Sequence, residues 1–336
     1  MNRVTITSLS LLFALTCDVP VHAQGAKWRT LNTEVVSLYK QGLYDRATVA
    51  AEEALRVADR ASSTDDPTYD STLALSLNNL ALLYKIKGQY PDAELLYKRS
   101  LMIKEKALGP NHHSVAASLN NLAALYDTEG RDKEAESLYK RALAIKEKAL
   151  GSEHPSVATS LNNLAELYRT QGQYTKAEPL YKRALAVREK AAGPDHPAVA
   201  TSLDNLAAAY DAQGNYTEAE PLYKRALAIR EQALGMEHPH VAASIDRLAA
   251  LYDAQGQYAQ AELLYQRSLA IKEKTLGEDH PSVATTLEDM ATIYRKTGRA
   301  EAAAAMEKRA AATRANYDRK VWMEKMKKAA YPSGPK

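Results

Sequence analysis

The sequence predicts an all-α fold, a solenoid of stacked helical hairpins, and three regularities support this prediction. Eleven of its 14 glycines follow one another at intervals of 21 residues. Between these glycines apolar residues recur at helical spacing, as in Leu203, Leu206 and Tyr210. Alanine and tyrosine also return at fixed positions in successive segments. The regular glycines stand at positions 88, 109, 130, 151, 172, 193, 214, 235, 256, 277 and 298.

Each regular glycine is predicted to end a helix, because glycine adopts the left-handed backbone conformation found at helix ends. Two such segments make one repeat of 42 residues, illustrated by the copy that ends at Gly235. Its first helix is predicted to begin at Pro197, whose fixed φ suits a first helical turn, and to end at Gly214. Its second helix is predicted to begin at about residue 217, since Pro221 is tolerated only near a helix start.

Small residues such as Ala207 and Ala219 would let two helices approach closely, with Tyr223 and Leu227 filling the remaining space. A hairpin of this kind has more apolar surface than it can bury alone, so we expect the hairpins to stack. The predicted hairpins are 68–109, 110–151, 152–193, 194–235, 236–277 and 278–315, preceded by a degenerate capping hairpin at 28–60 and followed by a basic C-terminal helix or tail at 316–336.

Residues 1–23 differ from the rest and are predicted to be a secretory signal peptide. Arg3 supplies a positive start, Val4 to Thr16 form a short apolar run, and Val21-His22-Ala23 resembles a cleavage site. We therefore expect an exported protein, periplasmic or secreted after cleavage near Ala23. The only cysteine, Cys17, lies in this segment, so the processed chain would contain no disulfide, thiol nucleophile or cysteine metal ligand.

The composition argues against nucleic acid binding and against catalysis. The net charge is only +3, with basic and acidic residues interleaved. Phosphate-binding loops need closely spaced glycines, whereas the regular glycines are 21 residues apart, so we expect no cofactor. Carboxylates recur with the repeat, while a catalytic site needs an acid and a base in different environments. We therefore expect a protein that is not an enzyme.

Five histidines recur at intervals of 42 residues, and the sequence favours a structural role for them. A metal site requires ligands that converge on one point, whereas equivalent residues of successive hairpins lie on separate loops. We expect no bound metal and interpret these histidines as turn or helix-start residues. They are His112, His154, His196, His238 and His280.

The repeat resembles the tetratricopeptide repeat, and its longer period is most similar to that of the kinesin light chain subgroup. The resemblance rests on Leu-Ala-x-x-Tyr followed by Gly, Tyr, Ala-Glu, Leu-Tyr and Arg-Ala-Leu, over residues 68 to about 315. It implies a right-handed α-solenoid, or superhelix, of about seven hairpins whose first helices line a concave surface. In that family such surfaces capture short peptide segments, which implies a protein-binding function.

The segment Leu119-Asn120-Asn121-Leu122 raises a question, because asparagine is a poor helix former. On a helical wheel the two leucines and Tyr126 form an apolar stripe, and the asparagines lie on the opposite side. An asparagine amide offers one acceptor and two donors, which match one peptide unit. We predict that such residues line the groove and bind an extended peptide; the alternative is that they bond neighbouring hairpins together. These ladder residues are Asn78, Asn79, Asn120, Asn121, Asn162, Asn163, Asp204, Asn205, Asp246, Arg247, Glu288 and Asp289.

The ladder residues become more acidic toward the C-terminus, from Asp204 onward. We interpret this change as a preference for a partner segment that is basic at that end, with drift on a solvated face as the alternative. The predicted function is that of an exported, non-catalytic scaffold that binds an extended peptide or protein segment. Two alternatives stay open: a structural subunit of a cell-envelope complex joined through convex pairs such as Lys140-Arg141 and Lys182-Arg183, and an accessory partner of a separate enzyme.

The C-terminal segment 316–336 contains apolar and basic residues side by side. Val321, Trp322 and Met326 are expected to cap the last hairpin, with the neighbouring lysines in water. Contact of this segment with an anionic membrane surface is the alternative.

Overall fold

The structure, a computed structural model, describes residues 23–60 and 69–330 of the chain. The predicted signal peptide lies outside these residues except for Ala23, with which the first helix begins. Within the described residues the chain forms fourteen α-helices and no β-strand, which confirms the all-α prediction. In chain order they are α1 (Ala23–Lys40), α2 (Tyr44–Arg60), α3 (Tyr69–Ile86), α4 (Tyr90–Leu108), α5 (His113–Thr128), α6 (Asp132–Leu150), α7 (Pro155–Thr170), α8 (Tyr174–Ala192), α9 (Pro197–Asp211), α10 (Tyr216–Leu234), α11 (Pro239–Ala254), α12 (Tyr258–Leu276), α13 (Pro281–Lys296) and α14 (Ala300–Ala330).

The chain divides into two compact units, residues 1–187 and residues 188–336. In the first unit, α1–α2, α3–α4 and α5–α6 pair as hairpins, and each second helix also contacts the first helix of the next hairpin. In the second unit, the hairpins α9–α10, α11–α12 and α13–α14 stack in the same manner. Each unit is therefore a stack of helical hairpins, as the repeated glycines predict.

Two kinds of glycine turn alternate along the chain, and the copy that ends at Gly235 contains both. Gly214 follows α9 with a φ of 74°, and the next amide, that of Asn215, donates to the Tyr210 carbonyl at 2.9 Å. Gly235 follows α10 with a φ of 85°, and its own amide donates to the Glu231 carbonyl at 3.0 Å. Residues with side chains rarely adopt such positive φ values, so glycine ends both helices, as predicted.

The recurring histidines begin the first helices of the hairpins. His196 precedes α9 with φ −73° and ψ 141°, and its Nδ1 accepts a hydrogen bond from the Ala198 amide at 3.1 Å. That bond satisfies a backbone donor which the start of a helix leaves without a partner. The helix-start interpretation is therefore confirmed. The same capping bond is made by His112, His154, His238 and His280.

Small residues lie where paired helices approach each other, as expected. Ala207 of α9 and Ala219 of α10 are completely buried, and Tyr223 and Leu227 pack in the same core of the second unit. In the first unit, Ala142 of α6 is buried in the same way against α5. The close approach leaves no room for a larger side chain at these positions.

The hydroxyls of recurring tyrosines bond neighbouring hairpins, which gives a physical reason for 20 tyrosines against one phenylalanine. Tyr126 of α5 is buried, and its hydroxyl donates to Glu94 of the preceding hairpin at 2.8 Å. In the second unit, Tyr252 of α11 donates to Glu220 of the preceding hairpin at 2.9 Å. A phenylalanine would fill the same space but would lose this hydrogen bond to a carboxylate.

Three helices differ from the sequence prediction, and the first of them, α1, begins at Ala23 rather than at residue 28. Helix α10 begins at Tyr216, slightly earlier than predicted, so Pro221 lies in its second turn. The proline nitrogen cannot donate to the Thr217 carbonyl, and the helix tolerates this one missing bond. Helix α14 runs through to Ala330, so the predicted division at residue 315 falls inside a helix.

Of the three apolar residues expected to cap the last hairpin, Val321 is partly buried, but the expectation is wrong for Trp322 and Met326. Trp322 is 60% exposed and Met326 is 51% exposed. Helix α14 continues past the residues it packs against, so these side chains have no hairpin beneath them. None of the helices in residues 23–60 and 69–330 is long and apolar enough to cross a bilayer.

Candidate functional site

Most ladder asparagines of the first unit are buried. Asn78, Asn79, Asn120, Asn121 and Asn162 are between 4% and 7% exposed. The asparagines predicted to line the groove are therefore covered and do not point into open solvent. For the asparagines of α3 and α5 the reason is that neighbouring first helices touch, α3 with α5 and α5 with α7, so residues beside the apolar stripe are covered as well.

Four of these five asparagines bond neighbouring hairpins through their amides. Asn121 Nδ2 of α5 donates to Asn78 Oδ1 of α3 at 2.6 Å. Asn79 Nδ2 donates in turn to Asn32 Oδ1 of α1 at 2.8 Å. The alternative interpretation of the asparagine pairs, that they hold hairpins together, is therefore the one these contacts support. Each bond of this kind contributes about 1 kcal/mol, and a buried amide that lost its partner would cost more.

Some hydrogen-bonding capacity of the ladder remains unused. Asn120 Nδ2 donates to Ser160 Oγ at 3.2 Å, while its Oδ1 has no partner among the described residues. The same holds for Asn121 Oδ1 and for both polar atoms of the Asn162 amide. Asn163 differs, because it is partly exposed and makes no side-chain hydrogen bond with any described residue. It is thus the ladder asparagine of the first unit that a ligand can reach.

In the second unit, basic residues of the same chain neutralise two of the acidic ladder residues. Asp204 is only 1% exposed, and its Oδ2 meets the guanidinium groups of Arg230, at 2.6 Å, and of Arg247. Asp246 pairs with Lys272 in the same way. These carboxylates are consequently committed to internal ion pairs.

Three further acidic groups of this unit are more accessible. Glu288 is exposed and forms two bonds to Arg314, at 2.7 and 3.0 Å. Asp289 is partly exposed, and burial together with the nearby Asp246 carboxylate raises its pKa to about 6. Burial also raises the pKa of Asp211.

Asn205 is partly exposed and makes no side-chain hydrogen bond with the residues that the structure describes.

A cation recurs at one position of the second helices, and the two units differ in whether a carboxylate of the first helix pairs with it. In the second unit Arg230 and Lys272 each pair with an aspartate of the first helix of the same hairpin. At the equivalent place in the first unit, Lys146 belongs to a hairpin whose first helix carries Asn120 instead. Lys146 is 8% exposed, its Nζ donates to the Ser156 carbonyl at 3.1 Å, and burial lowers its pKa to about 8. The first unit therefore holds a buried cation with no carboxylate opposite it.

A depression of about 440 Å³ lies on α1 and α3 of the first unit, and sequence reasoning missed it. Trp28, Val36 and Leu75 give it an apolar lining, and Trp28 is fixed by a hydrogen bond from Nε1 to Ser76 Oγ at 2.7 Å. Arg29 also lines it. The signal in the sequence was weak, since Trp28 lies in a degenerate hairpin and meets Leu75 only after folding.

Basic and small polar groups complete the lining of this depression. Arg29 and Lys40 lie in it together with Asn32, Thr33 and Ser37. Neither Arg29 nor Lys40 forms an ion pair with a described residue. An apolar floor beside cations that lack carboxylate partners suits a ligand with an apolar group and a negative charge.

The Lys-Arg pairs of the second helices are already in contact with acidic residues. Lys140 pairs with Glu136 at 2.6 Å, and Arg141 pairs with Glu105 of the preceding hairpin at 2.7 Å. Lys182 likewise pairs with Glu178 at 2.7 Å. This surface therefore presents balanced charge rather than a basic patch. Within residues 23–60 and 69–330, no group of three or more His, Cys, Asp or Glu side chains is placed to hold a metal.

Comparison with known proteins identifies the family. The family model of the tetratricopeptide repeat matches residues 72–148, 134–190, 156–232, 206–274 and 241–316. A search of curated proteins found no match to the chain.

Several solved structures are similar to the chain. BtubC (BKLC) from P. vanneervenii has 28% identity and a TM-score of 0.61, over 70% of this chain and 92% of that one. The nearly identical TPR-like repeats of a kinesin light chain candidate from Podosopora anserina have 35% identity and a TM-score of 0.54, over 63% of this chain and 99% of that one. A tetratricopeptide repeat protein from Parabacteroides merdae shares the fold at 21% identity and a TM-score of 0.54, over 86% of this chain and 94% of that one. The chain belongs to the tetratricopeptide repeat family and is similar to its kinesin light chain-like members.

Proposed function

We propose that this protein is a non-catalytic scaffold that binds an extended segment of another protein on its first-helix surface. Tetratricopeptide repeat proteins generally mediate protein–protein interactions, and the family match supports that general role here. The finer proposal rests on one observation, the depression lined by Trp28, Val36 and Leu75 with Arg29 and Lys40 beside them. Pockets that combine an apolar floor with a few polar groups are typical binding sites.

The proposed ligand for the first unit is a peptide with an apolar side chain next to a carboxylate. The apolar side chain would pack on Trp28 and the carboxylate would meet Arg29, while Lys40 lies roughly 16 Å further along α1. Arg29 provides a guanidinium fork that suits a carboxylate, and Lys40 provides a second positive charge.

We propose two different roles for the ladder residues. Four buried asparagines set the spacing of the hairpins, because their amides are bonded between helices; they are Asn78, Asn79, Asn120 and Asn121. Asn163 in the first unit and Asn205 in the second are partly exposed and have unused amides, and each would bond to the main chain of a segment bound to its own unit. In the second unit, the preference for a basic segment stays a prediction, supported by Asp289 and weakened by the internal pairing of Asp204 and Asp246.

Export to the periplasm or the exterior is part of the proposal, supported by the leader-like composition of residues 1–23. Sequencing the N-terminus of the protein isolated from its own host tests it directly. A new N-terminus near Gln24 in the exported fraction supports export, and a chain that retains Met1 in the cytoplasm contradicts it.

The binding proposal is tested with peptides selected from a random displayed library, their affinities being measured by fluorescence anisotropy. The charge-reversal variant Arg29→Glu/Lys40→Glu should weaken binding at least about tenfold. The matched control, Lys106→Glu/Lys148→Glu, changes the charge equally at exposed second-helix residues and should leave the affinity unchanged.

The same pair of variants separates the two surfaces. If the control variant loses the peptide while Arg29→Glu/Lys40→Glu keeps it, partners bind the second-helix surface and the proposal is wrong. The internal ion pairs of Lys140 and Arg141 argue against that outcome.

A further inference from the structure

The last helix continues past the position where the other second helices end. Helices α10 and α12 each have 19 residues and stop at Gly235 and Gly277. The residue that follows Gly277 by one repeat is Arg319, and α14 runs on to Ala330 for 31 residues in all. Gly277 adopts a φ of 87°, which arginine strongly disfavours, so the sequence has replaced the helix stop with a helix former.

Contacts with the connection between α12 and α13 hold α14 as far as Lys320. Thr313 Oγ1 donates to the Glu278 carbonyl at 3.2 Å, and Asn316 Nδ2 donates to Asp279 Oδ1 at 2.9 Å. Lys320 forms an ion pair with the same aspartate. The part of α14 after Lys320 is hereafter called the extension.

The extension presents large apolar side chains to solvent. Trp322 is 60% exposed, Met323 is 44% exposed and Met326 is 51% exposed. The second tryptophan of the chain, Trp28, is by contrast 6% exposed and hydrogen-bonded. Three neighbouring large apolar side chains on one short helical segment form a patch that water solvates poorly.

The same segment is basic. By sequence, the extension contains three lysines against one glutamate, and Arg319 and Lys320 directly precede it. Of these cations, Lys320 is engaged with Asp279, whereas Arg319 is exposed and makes no ion pair with a described residue. Helices that lie in the interface of a bilayer typically combine exposed apolar side chains, such as tryptophan and methionine, with several cations.

We propose that the extension docks on an anionic phospholipid surface, with Trp322 and Met326 entering the headgroup region and the cations meeting lipid phosphates. The proposal is independent of the peptide site, because its residues all lie at the end of the second unit. Charge complementarity selects this occupant. A second copy of the chain would bring two basic segments together, and three exposed apolar side chains fall far short of the roughly 800 Å² per partner that a stable dimer buries.

The fluorescence of Trp322 reports docking at this site. Subtracting the emission spectrum of a Trp322→Phe variant from that of the full-length protein removes the contribution of Trp28. With vesicles containing phosphatidylcholine and phosphatidylglycerol, the difference spectrum should shift to shorter wavelength and be quenched by brominated acyl chains. With phosphatidylcholine alone it should shift little. Raising the salt from about 0.1 M to about 1 M should reverse the shift, because the Debye length falls from about 10 Å to about 3 Å.

Matched variants connect this signal to binding. Vesicle flotation measures the fraction of protein that binds anionic vesicles. Trp322→Ala/Met326→Ala should lower this fraction at least about tenfold relative to the unsubstituted protein without residues 1–23. The circular dichroism spectrum of the variant should be unchanged. Arg319→Gln should lower it about fivefold, since one cation near an anionic surface contributes about that factor. The control Met236→Ala/Leu263→Ala removes two side chains that are each 66% exposed elsewhere, and it should have no effect.

Two results would overturn the proposal. One is a Trp322 difference spectrum that stays that of a solvent-exposed indole in anionic vesicles. The other is a dimer, measured by light scattering, that the Trp322→Ala/Met326→Ala variant converts to monomer, because a second copy would then be the occupant.

Discussion

Arg247 of α11 donates to the carboxylate of Asp204 on α9, at the positions where Asn121 of α5 donates to Asn78 of α3 in the first unit. The same step between neighbouring first helices is thus bridged by a charged pair in one unit and by a pair of amides in the other. A neutral amide bond needs no counterion, whereas the buried Asp204 carboxylate depends on the two arginines that meet it. The difference in chemistry gives the two bridges different contributions to the stability of the fold.

Removing the donor of the amide bridge should destabilise the first unit. Asn121→Ala would leave the buried Oδ1 of Asn78 without its partner, at a cost of about 1–3 kcal/mol in the free energy of unfolding. Urea denaturation followed by circular dichroism measures the change. Asn163→Ala serves as the control, because Asn163 is partly exposed and bonds to no described residue, so it should cost no more than about 0.5 kcal/mol. Equal costs for the two variants would contradict a structural role for the bridge.

Neutralising the charged bridge should cost more. Asp204→Asn keeps the shape of the side chain but leaves Arg230 and Arg247 without their shared carboxylate, and breaking a buried ion pair costs about 3–5 kcal/mol. The melting temperature of the variant should fall accordingly. Glu288→Gln, which breaks the exposed pair with Arg314, should cost at most about 1 kcal/mol. A loss at Asp204 no larger than that at Glu288 would show that the buried pair contributes little.

The burial of Lys146 predicts a specific dependence on pH. Its pKa of about 8 in the folded protein lies below the usual value of about 10.4, so burial of the charged form destabilises the folded state below pH 8. That cost disappears as the pH rises from about 8 to about 10.4, where the group becomes neutral in both states. Lys146→Met should therefore raise the free energy of unfolding by about 2 kcal/mol at pH 7 and by much less at pH 10.5.

A second variant tests why this lysine is destabilising. Asn120→Asp supplies the carboxylate that Lys272 finds in Asp246, so it should raise the pKa of Lys146 toward its usual value and remove most of the pH dependence. The measurement is the urea midpoint at pH 7 and at pH 10.5 for Lys146→Met, for Asn120→Asp and for the variant that carries both changes. An Asn120→Asp variant with the same pH dependence as the original chain would show that the missing carboxylate is not the cause.

The raised pKa of Asp289 predicts that the stability of the protein depends on pH in the acidic range. Burial and the Asp246 carboxylate raise its pKa to about 6, while Lys272 acts in the opposite direction and Glu288 and Asp253 add to the rise. An acid with a raised folded pKa destabilises the folded state above that pKa, and the penalty fades as the pH falls from about 6 to about 4. Asp289→Asn should thus stabilise the protein by about 1 kcal/mol at pH 7.5, a figure reduced for partial exposure, and have little effect near pH 4. Asp318→Asn, at an exposed position, is the control. If Asp289→Asn changed the stability equally at both pH values, the raised pKa of Asp289 would be contradicted.

The elements that sequence reasoning predicted well depend on local chemistry. A glycine with positive φ and a histidine that caps the next helix act within a few residues, so their spacing gave the helices and the hairpins directly. The extension of α14 was not predicted, although the sequence carries a local signal for it, because Arg319 stands where the repeat requires glycine.

The burial of the asparagine pairs could not be read from the sequence alone, for a physical reason. A helical wheel assumes one covered face, but α5 packs against α4, α6 and its neighbouring first helices α3 and α7. Whether Asn120 and Asn121 reach solvent depends on the separation of those helices, which no single helix encodes. The depression around Trp28 is likewise formed between α1 and α3, about one repeat apart in the chain.

Mapping the contacts of a bound peptide tests the account most directly. A selected peptide that carries a photoreactive group should crosslink to α1 and α3 residues around Trp28 and Leu75. Mass spectrometry locates the crosslinked residues. Crosslinks confined to second-helix residues such as Lys140 and Lys182 would contradict it.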